Sequence, residues 1–318
     1  MDNFDWLSTI KLNIKMLKYL SLWPHNGHFK LDLYSLVAVI LVLVFIHMYN
    51  MSIFIGIIFS RENLADLTTR IFMSSSEILT SFKTHFFLKN VRRLNQMARE
   101  LESAKFVPPR NTEQVQLVKP DMNTWRLVFI LFQCSCWITV IFILSAPILQ
   151  GSYKKHELPT PAWFPYNTSV SPNYELTYFY QSVGLTVVVA AVISLDAFVI
   201  NWMMIIGVQC EILSNNLKNI KNENNSFSQK LIECIRHHKV ILSLAENCND
   251  SYQMVFLWQL SNSSLTLALT MFQLTLVEPT SSDVVTIFAY AAAAAVQIFM
   301  YCWFGNQVEL KVRDFFLK

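Results

Sequence analysis

The chain has 318 residues, 53% hydrophobic and 15% charged, with a formal net charge of +3 and a mean hydropathy of +0.35. So much apolar sequence in continuous runs excludes a globule folded in water alone, and the small net charge gives no ground for a nucleic-acid partner. Alternating segments of about 10 residues would signal a membrane β-barrel; these runs are unbroken, so the expected fold class is an all-α polytopic membrane bundle.

Residues 1–32 carry Lys11, Lys15, Lys18 and Lys30 but no compact apolar stretch ending in a small-residue cleavage site. They read as a cytosolic N-terminal segment, with the first membrane helix as its own insertion signal. Apolar runs follow at Leu33–Phe59, Leu127–Leu149, Leu176–Ile206, Tyr252–Val277 and Val284–Phe304. Each reaches the roughly 20 residues that cross about 30 Å of hydrocarbon. Leu64–Phe82 is a weaker candidate, interrupted by Arg70, Glu77 and several hydroxyls. The Lys/Arg distribution decides whether it spans. If it does, 21 basic residues fall on one side and three on the other, nine of the 21 in Lys83–Arg126. The expected topology is therefore six crossings over residues 33–304 with a cytosolic N-terminus.

Arg70 and Glu77 are seven apart and share a helix face, which reads either as a water- or ligand-facing side or as interhelical packing. Asp196 in the fourth membrane helix marks either a wet cavity or a hydrogen bond to a neighbouring helix. Two connectors predict helices that continue beyond the bilayer. One holds Phe86, Phe87, Val91, Leu94, Met97 and Leu101 among arginines, before Pro108-Pro109; the other holds Leu213, Leu217 and Ile220, then Leu231, Ile235, Ile241 and Leu244. Their apolar faces call for something to pack on. The tandem His237-His238 points about 100° apart on a helix, which suits a structural or interface role better than gripping a metal.

The outer connector Leu158-Pro159-Thr160-Pro161-Ala162-Trp163-Phe164-Pro165-Tyr166 is held extended by its prolines. Its aromatics suit the lipid interface or the roof of a cavity. Asn167-Thr168-Ser169 is the glycosylation sequon on the expected outside. The six cysteines predict free thiols, Cys134-Cys136 not matching a metal knuckle. No nucleotide loop, nucleophile elbow or His-Glu-x-x-His is present, and no inverted repeat with broken helices. Neither an enzyme nor a cofactor is expected. Binding or conduction remains, with aromatics in the spans able to line an apolar cavity.

Four motifs in order carry a resemblance. They are Leu17-Lys18-Tyr19-Leu20-Ser21-Leu22-Trp23-Pro24, the outer string from Leu158 to Tyr166 leading to Tyr174, Tyr178 and Gln181, His237-His238-Lys239-Val240-Ile241-Leu242, and Gln297 through Asn306. The chain resembles the insect odorant receptors, a seven-helix chemoreceptor class, from about Leu17 to Val308. That resemblance implies an odorant-gated cation channel subunit in the plasma membrane of olfactory neuron dendrites. The implied partners are small volatile odorants, the bilayer and a shared co-receptor, in a hetero-oligomer expected to be a tetramer. It further implies a pocket in the outer half of the membrane and a cytosolic anchor that joins subunits. Face and depth select Phe72, Trp137, Ile141, Ser145, Tyr180, Gly184 and Tyr290 for the pocket. Trp163, Phe164 and Pro165 are expected as its lid, and His237, His238, Ile241 and Leu242 at the anchor interface.

The family's sixth helix is followed by an anchor helix and a seventh, pore-lining helix, whereas here Lys318 lies 12 residues past Asn306. The expectation is a truncated product, incomplete gene model or pseudogene product, with residues 305–318 beginning the anchor and the ion pathway lost. A G-protein-coupled receptor, with an outside N-terminus and an odd helix number, and a non-conducting scaffold are the rival readings.

Overall fold

The computed structural model describes residues 7–24, 33–59, 64–102, 106–109, 111–149, 151–220, 227–277 and 282–317. The described residues form seven helices: α1 (Ser8–Tyr19), α2 (Leu33–Phe59), α3 (Leu64–Glu102), α4 (Thr112–Leu149), α5 (Asn173–Lys218), α6 (Phe227–Leu276) and α7 (Ser282–Leu317). One short 3₁₀ turn, Ser152–Lys155, precedes the α4–α5 loop. The protein is an all-helical membrane bundle in which α2–α7 cross the bilayer. α3 through α7 extend beyond it at the end where the basic residues gather, here the basic end; the α4–α5 loop marks the opposite, loop end.

α5 is the axis. It packs on α1, α2, α3, α4, α6 and α7. Its apolar stretch is 67% buried by protein, against 33%, 39% and 17% for those of α2, α4 and α7. From Ile193 to Trp202 every residue is buried, so this turn-after-turn apolar run serves protein packing where those of the outer helices meet lipid.

Four helices are long and apolar enough to cross by composition, namely α2, α4, α5 and α7. α6 is less apolar than its sequence run suggested, because Gln259, Asn262, Ser263, Thr266, Thr270 and Gln273 lie within it. Gln259, Asn262 and Thr270 bond within α6, while Thr266 and Gln273 reach α3, itself rich in polar residues. Ser75 and Thr266 hydroxyls meet at 3.4 Å, and Gln273 donates to Thr68 at 2.8 Å. Two helices ill-suited to lipid thus satisfy each other, as interhelical hydrogen bonds do in bundles.

Two features set the arrangement of α1 and α2. The chain after α1 turns through Ser21 at φ 57°, with the Leu17 carbonyl accepting from Leu22 and Trp23. This drops Trp23 into an aromatic cluster with Phe87 and Phe198, ring centroids 6.2 and 5.4 Å away. In α2, Leu41–Met48 widens to π-helical pairing, a geometry that often marks sites under functional constraint. There the Tyr180 hydroxyl of α5 donates to the Val44 carbonyl at 2.8 Å.

Asp196 is fully buried mid-bundle, and its partner is Lys83 of α3 at 2.5 Å. Gln297 and Tyr301 of α7 also donate to it, Tyr301 at 2.7 Å. Of the two readings of Asp196, the structure selects the interhelical one. The sequence pattern puts Lys83 among the aqueous basic residues; in the structure α3 runs unbroken past it, and the ammonium is drawn into the bundle by the carboxylate. At the basic end Lys311 of α7 similarly joins Asp121 of α4 and Glu211 of α5, the latter at 3.2 Å. Burial pushes the Glu211 carboxyl above its usual range while Lys311 pulls it back.

Asp196→Ala should destabilise the protein by about 3–5 kcal/mol, because it strands a buried ammonium. Lys83→Met with Asp196→Leu should recover more than half of that loss, as read from thermal unfolding in detergent.

Candidate functional site

Above the Lys83–Asp196 pair, toward the loop end, five helices draw apart around a cavity of about 100 Å³. α3 presents Ser76, Glu77 and Thr80; α4 presents Phe132, Cys136, Thr139, Val140 and Ile143; α5 presents Leu185, Val188 and Val192. α6 adds Ser263 and Thr266, and α7 adds Tyr290, Ala293 and Ala294. The α4 residues fall at i, i+4, i+7, i+8 and i+11, one face of a helix. The floor is Lys83 and Gln297, both held by Asp196.

The roof is Thr160, from the outer connector. Gln181 of α5 holds it on both backbone sides: the Gln181 amide donates to the Thr160 carbonyl at 2.9 Å, and the Thr160 N–H donates to Gln181 Oε1 at 3.2 Å. The Tyr49 and Thr160 hydroxyls lie 3.2 Å apart. Tyr49 reaches this position because residue 184 is glycine: an added Cβ would sit 3.1 Å from the Tyr49 ring. Gly184 therefore positions the roof without lining the cavity.

The residues selected by face and depth distribute as follows. Tyr290 lines the cavity, its hydroxyl bonded to that of Ser76. Ile141 is 63% exposed and faces outward. Trp137 packs against the core, and the Ser145 hydroxyl donates to the Phe142 carbonyl of its own helix at 3.3 Å. Tyr180 stacks on Phe45 of α2. Phe72 belongs to α3, its side chain lying outside the described residues. The α4 choice is one residue, or 100°, away from the cavity face. Lipid-facing and cavity-facing stripes are both apolar, and the discriminating signal was the small polar pair Cys136 and Thr139.

In the outer loop, the backbone N–H of Trp163 donates to the Ser52 carbonyl at 2.9 Å, and its ring stacks on Phe59. Phe164 packs edge-on to Tyr180, and Pro165 is exposed. Trp163 and Phe164 fasten the loop to α2 and α5, while Thr160 supplies the surface over the cavity. Asn167 is exposed, its side chain accepting from the Ser169 N–H at 2.9 Å. At the basic end His237 is buried, with Nε2 2.7 Å from Gln209 Oε1 of α5. Ile241 is buried too. His238 stacks on Phe315 of α7, and Leu242 is 47% exposed.

Fold and cavity together define a multipass helical receptor-like protein with a mostly apolar chamber between its helices. The family model for the 7tm odorant receptors matches residues 63–315, and the chain belongs to that family. It is similar to Odorant receptor Or1 of Anopheles gambiae, 22% identical over 99% of this chain and 81% of that one. Odorant receptor 82a of Drosophila melanogaster is also 22% identical, over 79% and 69% of the two chains. The fold matches the insect olfactory receptor OR5 from Machilis hrabei with a TM-score of 0.84 at 19% identity, covering 96% of this chain and 81% of that one. A second structure of OR5, in complex with eugenol, matches with a TM-score of 0.82 at 17% identity over 98% and 83%.

Gln181→Leu should leave the Thr160 N–H and carbonyl without these partners at about 1–3 kcal/mol. The expected readout is a lower melting temperature and faster limited proteolysis within residues 151–172.

Proposed function

We propose that the chain is an odorant receptor subunit whose chamber takes small, largely apolar volatile molecules. The observation that carries this is a roofed cavity with walls of Phe132, Val140, Ile143, Leu185, Val188 and Val192, in a family named for odorant reception. Burial of apolar surface at about 25 cal/mol per Å² supplies the affinity, with few directional contacts. Family membership and the eugenol-bound OR5 structure support the reading. Tyr290 and its neighbours on α3–α7 are the contact surface, and Trp163 and Phe164 steady the roof.

In complete form, the receptor joins a shared co-receptor in the plasma membrane of sensory dendrites, and ligand binding opens a cation pathway. The basic end, with His238 and Leu242, faces the cytosol and other subunits; the loop end, with Asn167 as glycan acceptor, faces outside. With Lys83 drawn into the bundle, 20 Lys and Arg on one side against three on the other support this orientation. It speaks against a G-protein-coupled receptor with an outside N-terminus.

Val188→Trp, which fills the chamber, should weaken binding of a small-volatile panel including eugenol at least tenfold in nanodiscs without loss of folding. Unchanged affinity would remove the chamber from the binding role. For orientation, Lys154→Cys should react with an impermeant maleimide on intact cells and Asn247→Cys only after permeabilisation. The reverse pattern would overturn the topology.

A further inference from the structure

One group in the chamber wall is out of keeping with an apolar binding site. Glu77 of α3 is 6% exposed and lines the cavity, and its Oε2 has no partner among the described residues. The surrounding polar groups are already committed. Thr80 donates to the Ser76 carbonyl at 2.7 Å, Thr139 to that of Ser135 at 2.9 Å, and the Ser76 and Tyr290 hydroxyls bond each other. Asn50 of α2 donates to the Glu77 backbone carbonyl at 2.7 Å, fixing the helix turn without reaching the carboxyl.

Neither nearby cation serves it. The Lys83 ammonium is engaged by Asp196, and the Lys83 backbone stands six residues, about 9 Å of axial rise, further along α3. The Arg70 guanidinium lies beside Gly56 of α2, its Nη1 3.3 Å from where a Cβ there would be. A carboxyl group enclosed in hydrocarbon without a partner is costly, and such groups within membrane spans tend to mark where something binds. Among the buried side-chain atoms of the chamber wall, Glu77 Oε2 is the one left unpartnered in the described residues.

We propose that the chamber selects small volatile amines, with the ligand nitrogen donating to the Glu77 carboxyl and its hydrocarbon part lying among Val140, Val188 and Ala294. This rests on the chamber being the ligand site and adds the chemical class. An alkylamine enters as the free base and takes the proton of the buried Glu77 carboxyl on binding, so the O–H bond breaks, the N–H bond forms, and the ion pair is made inside the chamber without a bare charge having to be buried first. An alcohol of the same shape offers one weaker donor, and the plain hydrocarbon leaves Oε2 unpaired.

The test uses one carbon framework in three forms: 2-phenylethylamine, 2-phenylethanol and ethylbenzene, titrated against the full chain in nanodiscs by ligand-dependent thermal shift. The expected order is amine tightest by at least tenfold, then alcohol, then hydrocarbon. Glu77→Gln should cancel the amine advantage while ethylbenzene affinity stays within about twofold. An amine no tighter than the alcohol in the unmodified chain, which requires no variant to fold, overturns the proposal and leaves the chamber reading standing. Failure of all three to bind overturns both.

Discussion

The Lys83–Asp196 ion pair is the constraint on which the rest of the bundle depends. Two opposite charges enclosed mid-membrane tolerate little misalignment, because either one alone would be severely penalised. Gln297 and Tyr301 add donors from α7, so a single carboxylate fixes the axial register of α3, α5 and α7. The chamber opens immediately above. Its floor is therefore the rigid end of the bundle, and its shape follows from helices that are pinned below and held apart above.

Roof and floor differ in kind. The floor is charge-bearing and internal to the spans; the roof is backbone from a connector, clasped by Gln181 and braced by Tyr49 against a glycine. Between them the walls come from single apolar stripes on α4 and α5, with hydroxyl-bearing α3 and α6 closing the circle. The polar helices owe their place in the membrane to each other. Their pairing turns a composition unsuited to lipid into one side of a chamber.

Much of this architecture was legible in the residues. Apolar runs and the crowding of Lys and Arg on one side yielded six crossings, including the weak one at Leu64–Phe82. Amphipathic connectors announced the helices that project beyond the bilayer. The rotation of α4 could not be read, since Ile141 meets lipid and Val140 meets the chamber with equal apolarity. Lys83 looked like an aqueous charge because its partner lies 113 positions away. Thr160 stood in plain view among prolines, but only the clasp by Gln181 reveals it as the roof. Local pattern encodes helices and sides; rotation and long-range pairing are set by tertiary contacts.

The Thr160 clasp makes the span between α4 and α5 a structural wall and not a tether. Adding or removing residues there would raise, lower or tilt the ceiling of the chamber while leaving every helix untouched. A chamber built on this plan can thus change in height through connector length alone, a form of variation that membrane insertion does not penalise.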